Sequence, residues 1–226
     1  MPNRKRTTSS MNLDNSFRSN APRLLFPGAK RQLIEPEVAR RYVSRFAGIA
    51  PTSRYVQEQR RFRDHHSALI AALEYFNPLS AMADAGFSGV IFKAGKHYAF
   101  TGSVICSGAR SIEFIPAITR NRVTAFWRTT SLRHPSARYF ADHETRLATL
   151  YHRPFYLATS VEMLKVFNPG DRLLSPELTQ RMLGYPAEGY ALGRLVHDAQ
   201  GNLLRITTRL HAEHLLELEE GVRGDF

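Results

Sequence analysis

The chain predicts an α+β domain in which an antiparallel β-sheet packs on a buried helix, preceded by a basic N-terminal arm. Three observations carry that expectation. The run HHSALIAALEYF from His65 places Leu69, Ala72, Leu73 and Phe76 on one side at helical spacing. From Gly86 the period changes: GVIFKAG, HYAFTGSVIC, SIEFIPAI and RVTAFWRTTSL are β-branched and aromatic runs. They are separated by Gly95-Lys96, Ser107-Gly108-Ala109 and Arg120-Asn121, as in a meander. Ahead of both, Met1 to Arg63 carries 14 Lys+Arg against 4 Asp+Glu, whereas Asp64 to Phe226 carries 17 against 16.

Taken in order, residues 1–30 are polar, basic and aperiodic and read as an arm, with residues 31–226 as one α+β domain. Glu35-Pro36-Glu37 starts a helix, because proline suits the first turn and acids favour the positive end of the helix dipole; it runs to Phe46. RYVQEQRRFR suits an exposed helix or strand. The helix from His65 is expected to end at Asn77-Pro78, with Leu79 to Ala85 resuming it. After the meander, ARYFADHETRLATLY places Tyr139, His143, Leu147 and Leu150 at helical spacing and stops before Pro154. PFYLATSVEMLKVF fits either strand or helix. Asn168-Pro169-Gly170-Asp171 is a turn, and Ser175-Pro176-Glu177 caps a short helix to about Leu183. LGRLVHD and LLRITTRL flank Ala199-Gln200-Gly201-Asn202 as a hairpin, and HAEHLLELEE closes the chain as a helix fraying at Gly221.

With 226 residues, 43% of them apolar and 23% charged, the composition excludes disorder throughout. The net charge of +11 directs attention to anionic partners, and the segment counts assign nearly all of it to the arm. Cys106, the one cysteine, excludes an internal disulfide or a zinc ribbon and makes a reducing, cytoplasmic setting the simplest expectation. No stretch reaches the roughly 20 apolar residues of a bilayer span, and the start has no apolar signal region. An Arg- and Ser/Thr-rich start also fits an export leader, which would make the protein a secreted effector. Only five lysines occur, so arginine supplies the other 26 basic residues, as codon usage in a GC-rich genome would.

Short motifs decide little. His211-x-x-His214 and Asp64-His65-His66 lack a sequence-adjacent third ligand, so no metal site is expected. Four Arg-x4-His pairs (starting at Arg60, Arg61, Arg138 and Arg209) resemble the motif of a helical ribonuclease family, but the meander does not belong in an all-helical domain. Ser103, Cys106 and Ser107 have no nucleophile elbow around them, and Gly184 to Gly193 lacks a phosphate-binding lysine. The arm is more informative. Arg4, Lys5, Arg6, Arg31, Arg40 and Arg41 stand among few acids and suit sequence-tolerant, salt-dependent contact with phosphates.

From Arg122 onward RVTAFW, HPSARYFADHETRLATL, MLKVFNPGDRLLS and GRLVHDAQGNLLRITTRL occur in succession. Their order resembles the hotdog-fold acyl-thioesterases of the 4-hydroxybenzoyl-CoA type, in which a strand leads through a histidine loop into a helix wrapped by an antiparallel sheet. His134, Tyr139 and the Gly170-Asp171 turn match, while Thr130 stands where that family has its carboxylate. The resemblance therefore implies that Asp142 or Glu144 supplies the base or nucleophile beside His134. A competing placement sets Asp64 and His66 at the start of the first helix, with the meander around it; two degenerate halves, 52–120 and 121–216, accommodate both. By this resemblance the protein is a hydrolase or dehydratase of CoA- or carrier-linked acyl groups, or an acyl-binding relative. Such a protein needs no cofactor beyond that substrate and is compatible with a homo-oligomer. Amides at the helix start would polarise the thioester carbonyl. The alternative is a nucleic-acid-binding protein of a phage or mobile element acting through the arm.

Overall fold

The computed structural model describes residues 61–107, 110–111, 118–130, 135–159 and 161–211. The arm, the helix expected from Glu35, most of SIEFIPAI, His134 and the closing helix lie outside the described residues. The described residues form twelve elements. They are α1 (His65–Ala83), β1 (Ala85–Ala94), β2 (His97–Phe100), β3 (Ser103–Ser107), β4 (Arg110–Ser111), β5 (Val123–Thr129), α2 (Asp142–Tyr151), β6 (Phe155–Ala158), β7 (Leu164–Phe167), α3 (Pro176–Leu183) and β8 (Arg194–Leu195), with a 3-10 turn at Pro135–Arg138.

The α+β class is as expected, and α1 is the buried helix. Asp64 caps it, accepting from the Ser67 N–H and hydroxyl, both at 2.8 Å. The helix does not end at Asn77-Pro78 but runs through to Ala83 and stops at Asp84 in the left-handed region (φ 53°). Proline removes one intrahelical donor and crowds the carbonyl four residues back, a cost of about 3 kcal/mol that well-anchored flanking side chains must offset. Here Phe76 and Leu79 are fully buried, and Asn77 Nδ2 lies within 3.0–3.4 Å of the Thr159, Ile206 and Thr207 carbonyls.

The strands form one sheet in the order β4-β3-β1-β5-β6-β7-β8, with β2 pairing β1 on the β3 side. The expected meander is corrected here. β1 and β2 do form a hairpin through Gly95-Lys96, and β3 continues β2 along β1. β5, however, pairs with β1 and not with its predecessor in the chain. β6 then pairs with β5 in parallel, with α2 as the crossover between them. A single sheet thus spans residue 120, since Phe92 pairs with Val123. PFYLATSVEMLKVF resolves into two strands, β6 and β7, turning at Glu162 (φ 61°). α3 is capped by Ser175 as the sequence indicates, and the turn at 199–202 is present between bridged His197 and Leu203.

Both faces of the sheet are covered, which explains why the strand sequences are apolar almost throughout rather than alternating. On one face Leu69, Leu73, Phe76 and Leu79 of α1 pack on Phe87, Ile91, Phe100, Trp127 and Ala158. On the other, Ala148 of α2 and Phe140 pack with Val90, Phe92, Val123, Phe126, Phe155, Leu157 and Phe167. The face that α2 buries carries Glu144, Thr145 and Ala148; of the residues placed at helical spacing by the sequence, Leu150 is 58% exposed and Tyr139 precedes the helix. Gly89 and Gly102 leave room on the α1 face for Trp127, whose ring stacks on Phe76 at 5.1 Å between centroids and 23°.

Candidate functional site

The residues singled out by sequence separate onto the two faces of the sheet. Asp64, His65 and His66 stand at the start of α1, and Asp142 and Glu144 stand at the start of α2 on the opposite face. His134 lies outside the described residues, as do Arg4, Lys5, Arg6, Arg31, Arg40 and Arg41.

At the first location burial pushes the Asp64 carboxyl up, but the two bonds from Ser67 and the charge of His66 bring it below its ordinary range. Burial, reinforced by the neighbouring His66, lowers His65 to about 4, and burial also lowers His66. The two imidazole rings lie 4.0 Å apart, and His65 lies 6.4 Å from the Tyr98 ring. This corner therefore holds two imidazoles whose burial disfavours protonation, beside the capping carboxylate.

At the second location Glu144 is 1% exposed and its carboxylate is fully engaged. Arg128 of β5 reaches both oxygens, with Nη2 at 3.1 Å from Oε2, and the Ala141 N–H donates to Oε2 at 2.8 Å. Arg128 also donates to the Tyr139 carbonyl at 2.7 Å. Asp142 pairs with exposed Arg146 one helical turn on, at 2.8 Å. A hydrogen bond to Tyr185, together with burial and the nearby charges of Glu144 and Asp142, pushes Tyr190 up to about 12. Lys165 donates to the carbonyls of Arg138 and Leu192 at 3.0 and 3.2 Å, and burial lowers its pKa. Asp171 of the Pro-Gly-Asp turn accepts from the Asn168 N–H at 2.8 Å and pairs with Arg194 at 3.1 Å, closing the turn.

A third assembly emerges only in the fold. At one end of the sheet four adjacent chain segments bring together Arg61, Arg63, Lys93, Lys96, Arg120, Arg122 and Arg153, all exposed except half-buried Arg153. Their adjacency follows from backbone bonds. Phe62 and Tyr98 exchange two bonds of 2.9 Å, β1 reaches β2 through Gly95-Lys96, and the Lys93 N–H donates to the Arg122 carbonyl at 2.8 Å. Arg122 Nε returns a bond to the Lys93 carbonyl at 3.1 Å, and Arg153 Nε donates to the Val123 carbonyl at 2.8 Å. From the segment at Phe62 across β2, β1 and β5 to β6 is four strand spacings, about 19 Å.

No described carboxylate forms an ion pair with any of these seven side chains. Asp64, at the same end, is turned onto Ser67, while Asp84, Asp142, Glu144 and Glu162 lie toward the opposite end of β5 and β6. Two of the guanidinium groups sit over rings: Arg122 lies 5.3 Å from the Phe92 centroid and Arg120 lies 5.8 Å from that of Tyr151. The exposed imidazoles of His97 and His152 complete the rim.

Sequence counting missed this rim because Asp64 to Phe226 is nearly neutral in sum. A signal was present: residues 91–98, 119–123 and 150–155, the turns that meet here, contain no acid. No group of three or more His, Cys, Asp or Glu able to hold a metal occurs among the described residues. No helix among them is long and apolar enough to cross a membrane. Comparison of the chain with protein-family models, with curated proteins and with solved structures finds no match.

Proposed function

We propose that the protein binds nucleic acid through its phosphates, using the cationic rim together with the basic segment that leads into it. The observation that carries this reading is the continuity of the two. The chain up to Arg60, with 12 Lys+Arg against 4 acids, joins the folded body at Arg61-Phe62-Arg63, on the rim itself. Arg4, Lys5, Arg6, Arg31, Arg40 and Arg41 would then extend a field whose folded part is already free of paired acids. Such binding is sequence-tolerant and releases counterions, so it weakens steeply with salt.

The test is fluorescence anisotropy of a labelled 20-nucleotide strand and a 20-base-pair duplex with the full chain, repeated across salt concentrations. Arg61→Gln, Lys96→Gln and Arg120→Gln together remove three exposed cations without touching the core. The slope of log K against log salt should become shallower by about 2 to 3. Binding that ignores salt, or that keeps its slope in the triple variant, overturns the proposal.

A second reading, an acyl-thioester hydrolase of hotdog type, has one observation in its favour: Asp64 stands with His65 and His66, whose pKa values burial lowers, at the start of the helix that packs on the sheet. The parallel β5–β6 pair and the covered second face depart from that family's wrapped antiparallel sheet. The carboxylates at Asp64 and Glu144 are on opposite faces and cannot serve one centre. Hydrolysis of any member of an acyl-CoA chain-length panel, lost in Asp64→Ala, would establish it; inactivity across the panel would remove it.

A further inference from the structure

The seven cations of the rim are interleaved with rings, and that arrangement carries a statement about which form of nucleic acid fits. Three of the segments that meet there join a ring directly to a cation: Arg61-Phe62-Arg63, Lys96-His97-Tyr98 and Tyr151-His152-Arg153. His97 and His152 are exposed, whereas half-buried Phe62 and Tyr98 pack against the core on the α1 face and half-buried Tyr151 packs against the core on the α2 face. Arg120 and Arg122 add guanidinium groups already seated over Tyr151 and Phe92.

A duplex keeps its base faces inside its own stack and offers a protein phosphates and groove edges. A single strand also offers the flat faces of its bases, which stack on aromatic rings and guanidinium planes whatever the sequence. Resting on the phosphate-binding reading above, we infer that the rim takes single-stranded nucleic acid in preference to duplex. Phosphates lie against Arg61, Lys96, Arg120 and Arg153, and bases stack on His97 and His152. His152 suits the role geometrically. It is the exposed C-cap of α2 at φ 54°, a left-handed position that glycine would occupy without strain.

The experiment separates stacking from charge. The double variant His97→Thr, His152→Gly keeps every Lys and Arg, places a β-compatible residue in β2 and a glycine at a positive-φ position, and is checked by its thermal melt. Full-length protein and the variant are titrated against oligo-dT and oligo-U 20-mers and a 20-base-pair duplex at one salt concentration and then across salt. The expected result is single-strand binding at least 10-fold tighter than duplex binding. The double variant should lose about 5- to 100-fold on both single strands with an unchanged salt slope. Duplex binding equal to or tighter than single-strand binding, with the steep slope intact, overturns this inference and leaves the phosphate reading standing. A single-strand preference that survives the double variant overturns the assignment to these rings. Absence of salt-dependent binding to every probe overturns the reading beneath it.

Discussion

Gly102 lies across the ladder from Gly89, and a side chain there has nowhere to go. A Cβ on Gly102 would stand 2.6 and 2.7 Å from Cε2 and Cζ of Phe76 and 3.2 Å from Cη2 of Trp127. Both rings are fully buried and stacked on each other, so neither can swing into solvent to make room. Overpacking of this kind costs about 1 to 3 kcal/mol. The backbone at Gly102 is not in the left-handed region, so alanine also lowers the entropy of the unfolded chain, an opposing gain of about 0.4 to 1 kcal/mol. Gly102→Ala is therefore expected to destabilise the fold by about 1 to 2 kcal/mol, or roughly 2 to 8 °C in melting temperature for a body of this size.

The assay is urea denaturation followed by fluorescence, since Trp127 is the one tryptophan and reports directly on the stack. Phe76→Leu removes the ring atoms that the new methyl would meet. In a double-mutant cycle the pair Gly102→Ala, Phe76→Leu should thus be more stable than the sum of its singles predicts, by at least about 0.5 kcal/mol. An unchanged midpoint for Gly102→Ala, or strict additivity with Phe76→Leu, would refute the claim that these glycines exist to admit the Trp127–Phe76 stack.

Other consequences are open to measurement. Because burial lowers His65 to about 4 from 6.5, the folded state binds fewer protons than the unfolded state between those values. Stability should be complete above pH 6.5 and fall as pH drops toward 4, by on the order of 2 to 3 kcal/mol, and His65→Gln should flatten that slope in chemical denaturation. Removing one partner of the Arg128–Glu144 pair, with side chains 11% and 2% exposed, leaves a buried charge; Glu144→Gln or Arg128→Met should each cost about 3 kcal/mol. The double Arg128→Met, Glu144→Leu should cost far less than the sum, and calorimetry of the four proteins decides it. Asn77→Ala should loosen residues 206–211 preferentially, seen as faster amide exchange there than in β1, because its amide holds the carbonyls of Ile206 and Thr207.

What was legible in the sequence follows the range of the interactions involved. The spacing of Leu69, Leu73 and Phe76 announces α1, and the Gly95-Lys96 pair announces the β1–β2 hairpin, because both signals lie within a few residues of what they determine. Pro78 misleads, since the bonds that hold Asn77 in place come from Thr159 and Ile206, 82 and 129 residues away. Chain-neighbour pairing gives a meander; the order β3-β1-β5 depends on β1 being apolar on both sides, which a reader of one strand cannot assign to a partner. Glu144 looked like a catalytic carboxylate because its partner Arg128 sits in a different element, 16 positions earlier. The rim escaped for the same reason: three acid-free turns have no common meaning until the sheet lays them side by side.

The central position of β1 bears on how the chain must assemble. β1 is complete at Ala94 and finds its first partners in β2 and β3 directly, but its other edge waits for β5, whose pairing residues begin at Val123. During synthesis a ten-residue apolar strand thus spends some thirty residues' worth of translation with one row of amides and carbonyls unclaimed. Such an edge recruits other strands, including those of neighbouring nascent chains. Fragments that end between Ala94 and Thr129 should aggregate, whereas a chain that reaches Ala158 can close the edge and cross over to β6 through α2.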